Sequence, residues 1–261
     1  MSNRYLERVD SLMGPKAIAL GLTSAGTASL AISLVTLQAP LMMGSLLLLG
    51  AGMTLIMRAP EAKSAIETRM LLDAGDVDAA ETSAVTLLRT RPVGITRGRA
   101  LLLLGRCAEQ RGDFGDAKEI YPMAFGATEG DEDLDEELRE RHAFCLAATG
   151  CEAEAAAALG VDAETSSPFR APHGQLRPLG VRAEALVRHH RRDASGVAAL
   201  VARHGEDLQA QLQPRDRALL TVLHRIAKAS LGVATPHLAP VDGRTLSWIV
   251  KLIPEAAKQF E

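Results

Sequence analysis

From Ala17 through Met57 the chain carries no Asp, Glu, Lys, Arg or His without interruption, whereas the rest of its 261 residues hold all 29 Lys and Arg and all 32 Asp and Glu. A stretch of that length without one ionisable side chain is not expected on the surface of a water-soluble domain. This partition of charge constrains the fold more than the overall 47% hydrophobic content does.

The stretch divides at Gln38-Ala39-Pro40 into two segments, 17–37 and 40–57. At about 1.5 Å per helical residue, each approaches the roughly 30 Å of a bilayer's hydrocarbon core. Pro40 suits the first turn of the second helix, where its missing N–H costs nothing. These features predict a two-helix transmembrane hairpin over residues 14–58, preceded by a short segment, 1–13. A cleaved secretory signal has a shorter apolar stretch, about 7–15 residues, followed by a cleavage site. A helix lying flat in the interface has a charged face, which neither half offers. A hairpin buried inside a soluble oligomer is the remaining rival.

Arg4, Arg8 and Lys16 precede the hairpin, Arg58, Lys63 and Arg69 follow it, and the turn has no basic residue. Retention of Lys and Arg on the cytoplasmic side predicts an integral membrane protein with both termini and the bulk of the chain cytoplasmic. Cys107, Cys145 and Cys151, an odd number with no Cys-x-x-Cys pair, agree with a reducing compartment. Gly21, Ala25, Ser29 and Ser33 continue from Ala17 as a small-residue stripe on the first helix, and Gly44, Ala51 and Gly52 offer a smaller groove on the second. Such stripes let helix backbones pack closely in lipid. Packing within the hairpin is the simplest use; a homo-oligomer or a pore is the other. No ionisable group marks an ion path.

After Pro60 the pattern becomes one of amphipathic helices, and the fold class expected is all-α. Three stretches align: Ala74-Gly75-Asp76-Val77-Asp78-Ala79-Ala80, Arg111-Gly112-Asp113-Phe114-Gly115-Asp116-Ala117 and Thr149-Gly150-Cys151-Glu152-Ala153-Glu154-Ala155. Their glycines, Gly75, Gly112 and Gly150, recur at a nearly constant interval. Gly at the end of a helix takes the left-handed conformation that reverses the chain. Asp76 and Asp113 are placed to cap the next helix. Ala80, Ala117 and Ala155, each five positions after its Gly, are small enough for two helices to cross closely. Helix pairs of this kind bury one face each and must stack to complete a core.

In the middle unit, Leu104, Gly105, Ala108, Gly112, Phe114, Ala117, Tyr121 and Ala124 resemble the tetratricopeptide repeat in residue type and spacing. Leu101, where the family has an aromatic, and Glu129, where it has Pro, are departures. The first unit keeps Leu71, Gly75, Ala80 and Pro92 but has Thr68 where a helix-packing Gly is expected; the third keeps Leu146, Gly150, Ala155 and Leu159. The interval between units exceeds the family's, about 34 residues. The resemblance covers residues 61–160. It implies an antiparallel helix-pair solenoid that receives a peptide or another subunit in its concave groove, without bond chemistry.

Residues 161–180, with three prolines, read as a linker, and residues 181–261 as degenerate helical repeats ending in a capping helix. Docking of that last helix on a membrane surface through Trp248, Lys251 and Lys258 is an alternative. Arg188, His189, Arg191 and Arg192 lie in a stretch, residues 170–204, with seven Arg and only two acidic residues, a patch suited to an anionic partner. His189 and adjacent His190 are expected on different sides of a helix. Eight acidic residues lie between Glu129 and Glu140, without the ligand alternation of a calcium loop. The net charge of −3 and eight aromatic residues argue against nucleic-acid binding. No nucleophile elbow, phosphate loop, His-Glu-x-x-His or paired catalytic carboxylates are present, so neither catalytic, cofactor nor metal residues are expected. The function expected is a membrane-anchored scaffold or assembly factor of bacterial type that binds a protein partner, with a structural subunit oligomerising through its hairpin as the alternative.

Overall fold

The structure is a computed structural model that describes residues 63–90, 94–127, 131–160, 178–235 and 241–260, together with Thr23, Ala25, Thr27 and residues 46–49. The transmembrane hairpin expected at 14–58 lies almost wholly outside the described residues, as do Gly21, Ser29, Ser33, Gly44 and Gly52. Ala25 and residues 46–49 are helical, and Leu46 and Leu47 are exposed. Among the described residues no helix is long and apolar enough to cross a membrane. Every regular element among them is helical, so the protein is all-α.

The chain forms two compact units, Met1–Pro92 and Val93–Glu261. In the first, α1 (63–73) and α2 (Val77–Arg89) reverse at Gly75. Leu72 on α1 and Ala80, Ala84 and Leu87 on α2 are buried. Asp76 caps α2 by accepting from the Ala79 N–H at 3.1 Å. Thr68, the departure from the Gly pattern, is fully buried; its hydroxyl lies 2.7 Å from the Ser83 hydroxyl and also donates to the Ser64 carbonyl at 2.7 Å. A polar seam thus joins the pair where the resemblance leads one to expect a glycine contact.

The second unit contains α3 (Gly94–Arg111), α4 (Phe114–Ile120), α5 (Pro122–Phe125), α6 (Glu132–Ala148), α7 (Glu152–Leu159), α8 (Pro178–His190), α9 (Ala194–Gln211), α10 (Pro214–Ser230), α11 (Gly243–Leu252) and a 3-10 helix, Pro254–Gln259. Neighbours in sequence pack as pairs: α3 with α4, α6 with α7, α8 with α9; α6, α8 and α10 then contact in succession. Ala117, Tyr121 and Ala124 on the α4–α5 side, and Ala155 on α7, have no exposure. Leu104 and Ala108 are half-buried. A methyl group on Gly105 would collide with the ring of Tyr121, so glycine lets α3 and α4 meet there. The Tyr121 hydroxyl donates to Glu109 at 2.9 Å, which pins the ring. Gly105→Ala should therefore destabilise the protein by about 1–3 kcal/mol, the range for overpacking, despite the better helix propensity of Ala. Urea denaturation followed by circular dichroism checks this.

One main-chain device ends five of the helices. Asp76 donates to the Leu71 carbonyl and Gly75 to Leu72; the same pair of bonds recurs at Asp113 and Gly112, Cys151 and Gly150, Asp193 and Arg192, and Val233 and Gly232. The turn residues are thus Gly75, Gly112, Gly150, Arg192 and Gly232, a near-regular series along the chain. Each takes positive φ: +85° at Gly75, +78° at Gly112, +80° at Gly150, +59° at Arg192 and +75° at Gly232. Val197, placed after Arg192 as Ala80, Ala117 and Ala155 are after their glycines, is buried like them. An alignment on glycine misses the fourth turn because arginine stands in it. Asp113 occupies the cap position of α4, but its side chain makes no capping hydrogen bond. The linker expected over 161–180 ends earlier, since α8 begins at Pro178, a residue whose fixed φ suits a first helical turn.

Of the three residues expected to dock the last helix on a membrane surface, Lys251 and Lys258 are exposed but Trp248 is buried, so the indole does not reach a surface. Trp248 is 4% exposed and donates from Nε1 to the Glu109 carbonyl at 2.7 Å. Lys251 lies over Gly112 and donates to the Arg111 carbonyl at 2.7 Å.

Candidate functional site

Two polar constellations lie in the second unit, one sealed and one open. The sealed one centres on Glu109, near the end of α3, whose side chain is 1% exposed. Its carboxylate accepts from Arg182 on α8 at 2.9 Å, from Arg141 on α6 at 3.2 Å and from Tyr121. Arg182 also donates to Asp216 on α10 at 2.6 Å, and Arg141 to Glu137 at 2.8 Å. The Arg182 guanidinium lies 3.7 Å from the centroid of the Phe144 ring, a cation–π contact. Arg215 lies over Trp248 and donates to the Gln110 carbonyl at 3.2 Å. Helices α3, α6, α8, α10 and α11, with Tyr121 at the end of α4, therefore all contribute to one buried network.

Burial by itself would raise the Glu109 carboxyl, but Arg182, then Arg141 and Arg215, with the Tyr121 hydroxyl, outweigh it and bring its pKa down to about 2. A carboxylate held ionised and this fully coordinated is a poor proton donor or acceptor near neutral pH. Its chemistry is that of a brace. Sequence reading passes over it because Glu109 opens the polar run Glu109-Gln110-Arg111 at the end of a helix, which resembles a solvated stretch. The available signal is Arg182, alone among the apolar residues of Leu179–Ala183.

The open constellation is a cavity of about 530 Å³ where the turn after α8 meets α10 and the junction of α11 with the 3-10 helix. Val197, Ile226, Leu252 and Ile253 give it an apolar floor, and its polar lining includes His189, His190, Arg192, Glu152 and Glu255. His189 Nε2 is 3.2 Å from Glu255, and His190 Nδ1 is 3.9 Å from Glu152. Burial lowers the His189 pKa more than Glu255 raises it, so the imidazole is neutral at pH 7 and serves Glu255 as an N–H donor. The two rings, expected on different sides of a helix, have centroids 5.8 Å apart and line the same cavity. They terminate α8, where the chain leaves helical geometry for the left-handed turn at Arg192.

The basic patch read from sequence divides. Arg188 is committed internally, with Nη2 2.7 Å from Glu184 and Nη1 2.9 Å from Asp193. Arg191 and Arg192 are exposed, and neither has a side-chain partner among the described residues. The acidic run is also partly spent within the fold: Asp131 pairs with Arg99 and caps α6, Asp135 pairs with Arg139 and Glu137 with Arg141. Among the described residues no group of three or more His, Cys, Asp or Glu is placed to hold a metal ion.

Arg192 is the one non-glycine residue with positive φ among those described. A left-handed conformation costs an L-residue about 1–2 kcal/mol, which glycine avoids at the cost of a freer unfolded chain. Arg192→Gly should therefore stabilise the protein by about 1 kcal/mol, the usual effect of relieving strain at such a turn. A raised thermal midpoint relative to wild type is the measurement.

Comparison with protein-family models, with curated proteins and with solved structures finds no match to this chain.

Proposed function

We propose that this chain is a non-enzymatic scaffold, tethered to a membrane by a hairpin over residues 14–58, whose tetratricopeptide-like helix pairs hold a protein partner on the cytoplasmic side. The observation that carries the repeat reading is the recurrence of one helix-ending hydrogen-bond pattern, at Gly75, Gly112, Gly150, Arg192 and Gly232. The tether reading rests on the unbroken run from Ala17 to Met57 without an ionisable side chain. Confinement to a bilayer raises the effective concentration of whatever the scaffold holds.

The route to the partner differs from the open concave groove that the resemblance implies. The inward faces of α3, α6, α8 and α10 are occupied by the Glu109 network and by Trp248 from α11. A partner therefore meets the outer helices and the exposed turn edge rather than the interior. The test is fractionation of the full chain and of residues 61–261 from the same cells, followed by cross-linking. The expected result is a full chain that resists alkaline carbonate, a truncated form that does not, and a discrete cross-linked heterocomplex with the full chain. Recovery of the full chain in aqueous buffer without detergent would overturn the tether. A complex containing only copies of this chain, lost in Gly21→Leu with Ala25→Leu, would replace the scaffold with the oligomerising subunit.

A further inference from the structure

The cavity beside α8 asks three different things of an occupant. Arg192 keeps φ at +59° in a turn whose four counterparts have glycine, and a strained backbone kept at the mouth of a cavity points to a use for the side chain. Its exposed guanidinium has no partner among the described residues and suits an anionic group. Glu255 and Glu152 line the same cavity with side chains 54% and 35% exposed; each faces a histidine, and neither is paired with Lys or Arg among the described residues. They suit an ammonium group. The floor of Val197, Ile226, Leu252 and Ile253 suits hydrocarbon. A simple anion would meet two carboxylates and a simple cation would meet Arg192, so neither answers the whole lining. The volume, about 530 Å³, falls in the range of small-molecule sites.

We propose that this cavity binds a small zwitterion on an apolar body: an apolar α-amino acid, or a short apolar peptide with both termini free. The carboxylate meets Arg192, the ammonium lies towards Glu255 and Glu152, and the side chain rests on the apolar floor. This site goes beyond the scaffold role and depends on neither the tether nor the partner.

The test uses the full chain in detergent and isothermal titration calorimetry with leucine and with the dipeptide Leu-Leu, which separates the two sources of the same chemistry. The controls are 4-methylpentanoate, which lacks the ammonium, and 3-methylbutylamine, which lacks the carboxylate. At least one zwitterion is expected to bind, and each singly charged control to bind about tenfold more weakly or worse, the effect of losing one charged contact. Arg192→Gly should lose about the same factor while its unfolding midpoint rises, so the loss is not one of folding. Glu255→Gln should weaken the zwitterion but not 4-methylpentanoate, and Arg192→Lys should retain most of the binding. Binding of neither zwitterion, equal binding of either control, or undiminished binding by Arg192→Gly would each overturn the proposal.

Discussion

Glu109→Gln should destabilise the second unit by about 3–5 kcal/mol, the range for removing one partner from a buried ionic network. The amide keeps the volume and accepts one hydrogen bond, but it leaves Arg182 and Arg141 buried with their charge uncompensated on that side. Arg182 is the more exposed to this loss, since its side chain has no solvent access and only Asp216 would remain as its anion. The comparison that separates net worth from breakage is Glu109→Leu with Arg182→Leu. Removing both charges should cost less than the sum of the single changes, because neither member of the Glu109–Arg182 pair is left facing a missing partner. Asp216 loses Arg182 in the double change as it does in Arg182→Leu alone. Acid unfolding provides a second reading. The Glu109 carboxyl lies at about 2 in the fold against a reference of 4.5, so the unfolded chain takes up its proton first. The stability it contributes is fully present above pH 4.5 and is lost as the pH falls towards 2. Urea midpoints measured across that window should fall steeply for wild type and more gently for Glu109→Gln.

The helix-ending glycines are legible because one physical requirement, positive φ, selects one residue type. The same requirement hides the fourth turn: the chain there satisfies the identical hydrogen bonds with Arg192, so a search for glycine passes over it. Tyr121 is readable as a packing residue through its spacing from Gly105, and the ring does fill the space that a Cβ would take. Its hydroxyl's partner is not readable, since Glu109 and Tyr121 are related by the packing of α3 on α4 rather than by a helical interval. The Glu109–Arg182 pair spans 73 residues and the Trp248–Glu109 bond 139, separations at which local pattern carries no information. The patch at Arg188–Arg192 shows the limit from the other side. Composition takes its basic and titratable residues as one surface, whereas Glu184 and Asp193 hold Arg188 in and only Arg191 and Arg192 remain outward. Charge clusters read from sequence overcount whenever an i,i+4 partner of opposite sign is near.

Trp248→Ala should cost about 3–5 kcal/mol, the usual range for deleting a large buried aromatic, and the loss should spread beyond α11. The indole stacks with Phe144 at 6.0 Å between centroids, meets Phe114 edge-on at 5.8 Å and carries the Arg215 guanidinium on its face at 4.2 Å. Each of those partners belongs to a different helix, so removing the ring loosens α4, α6 and α10 together. It also uncovers Glu109, whose carbonyl loses the indole N–H and whose network then lies open to water. Trp248→Phe should cost less, since an aromatic ring remains: about 1 kcal/mol for the lost hydrogen bond, with a further contribution from the space the smaller ring leaves. If α11 were a loosely held appendage, hydrogen exchange in Trp248→Ala would quicken only over residues 243–260, leaving α3, α6 and α8 as protected as in wild type. The contacts instead require faster exchange in all of them and a single lowered midpoint, because the element that closes the unit is also the lid over its buried charges.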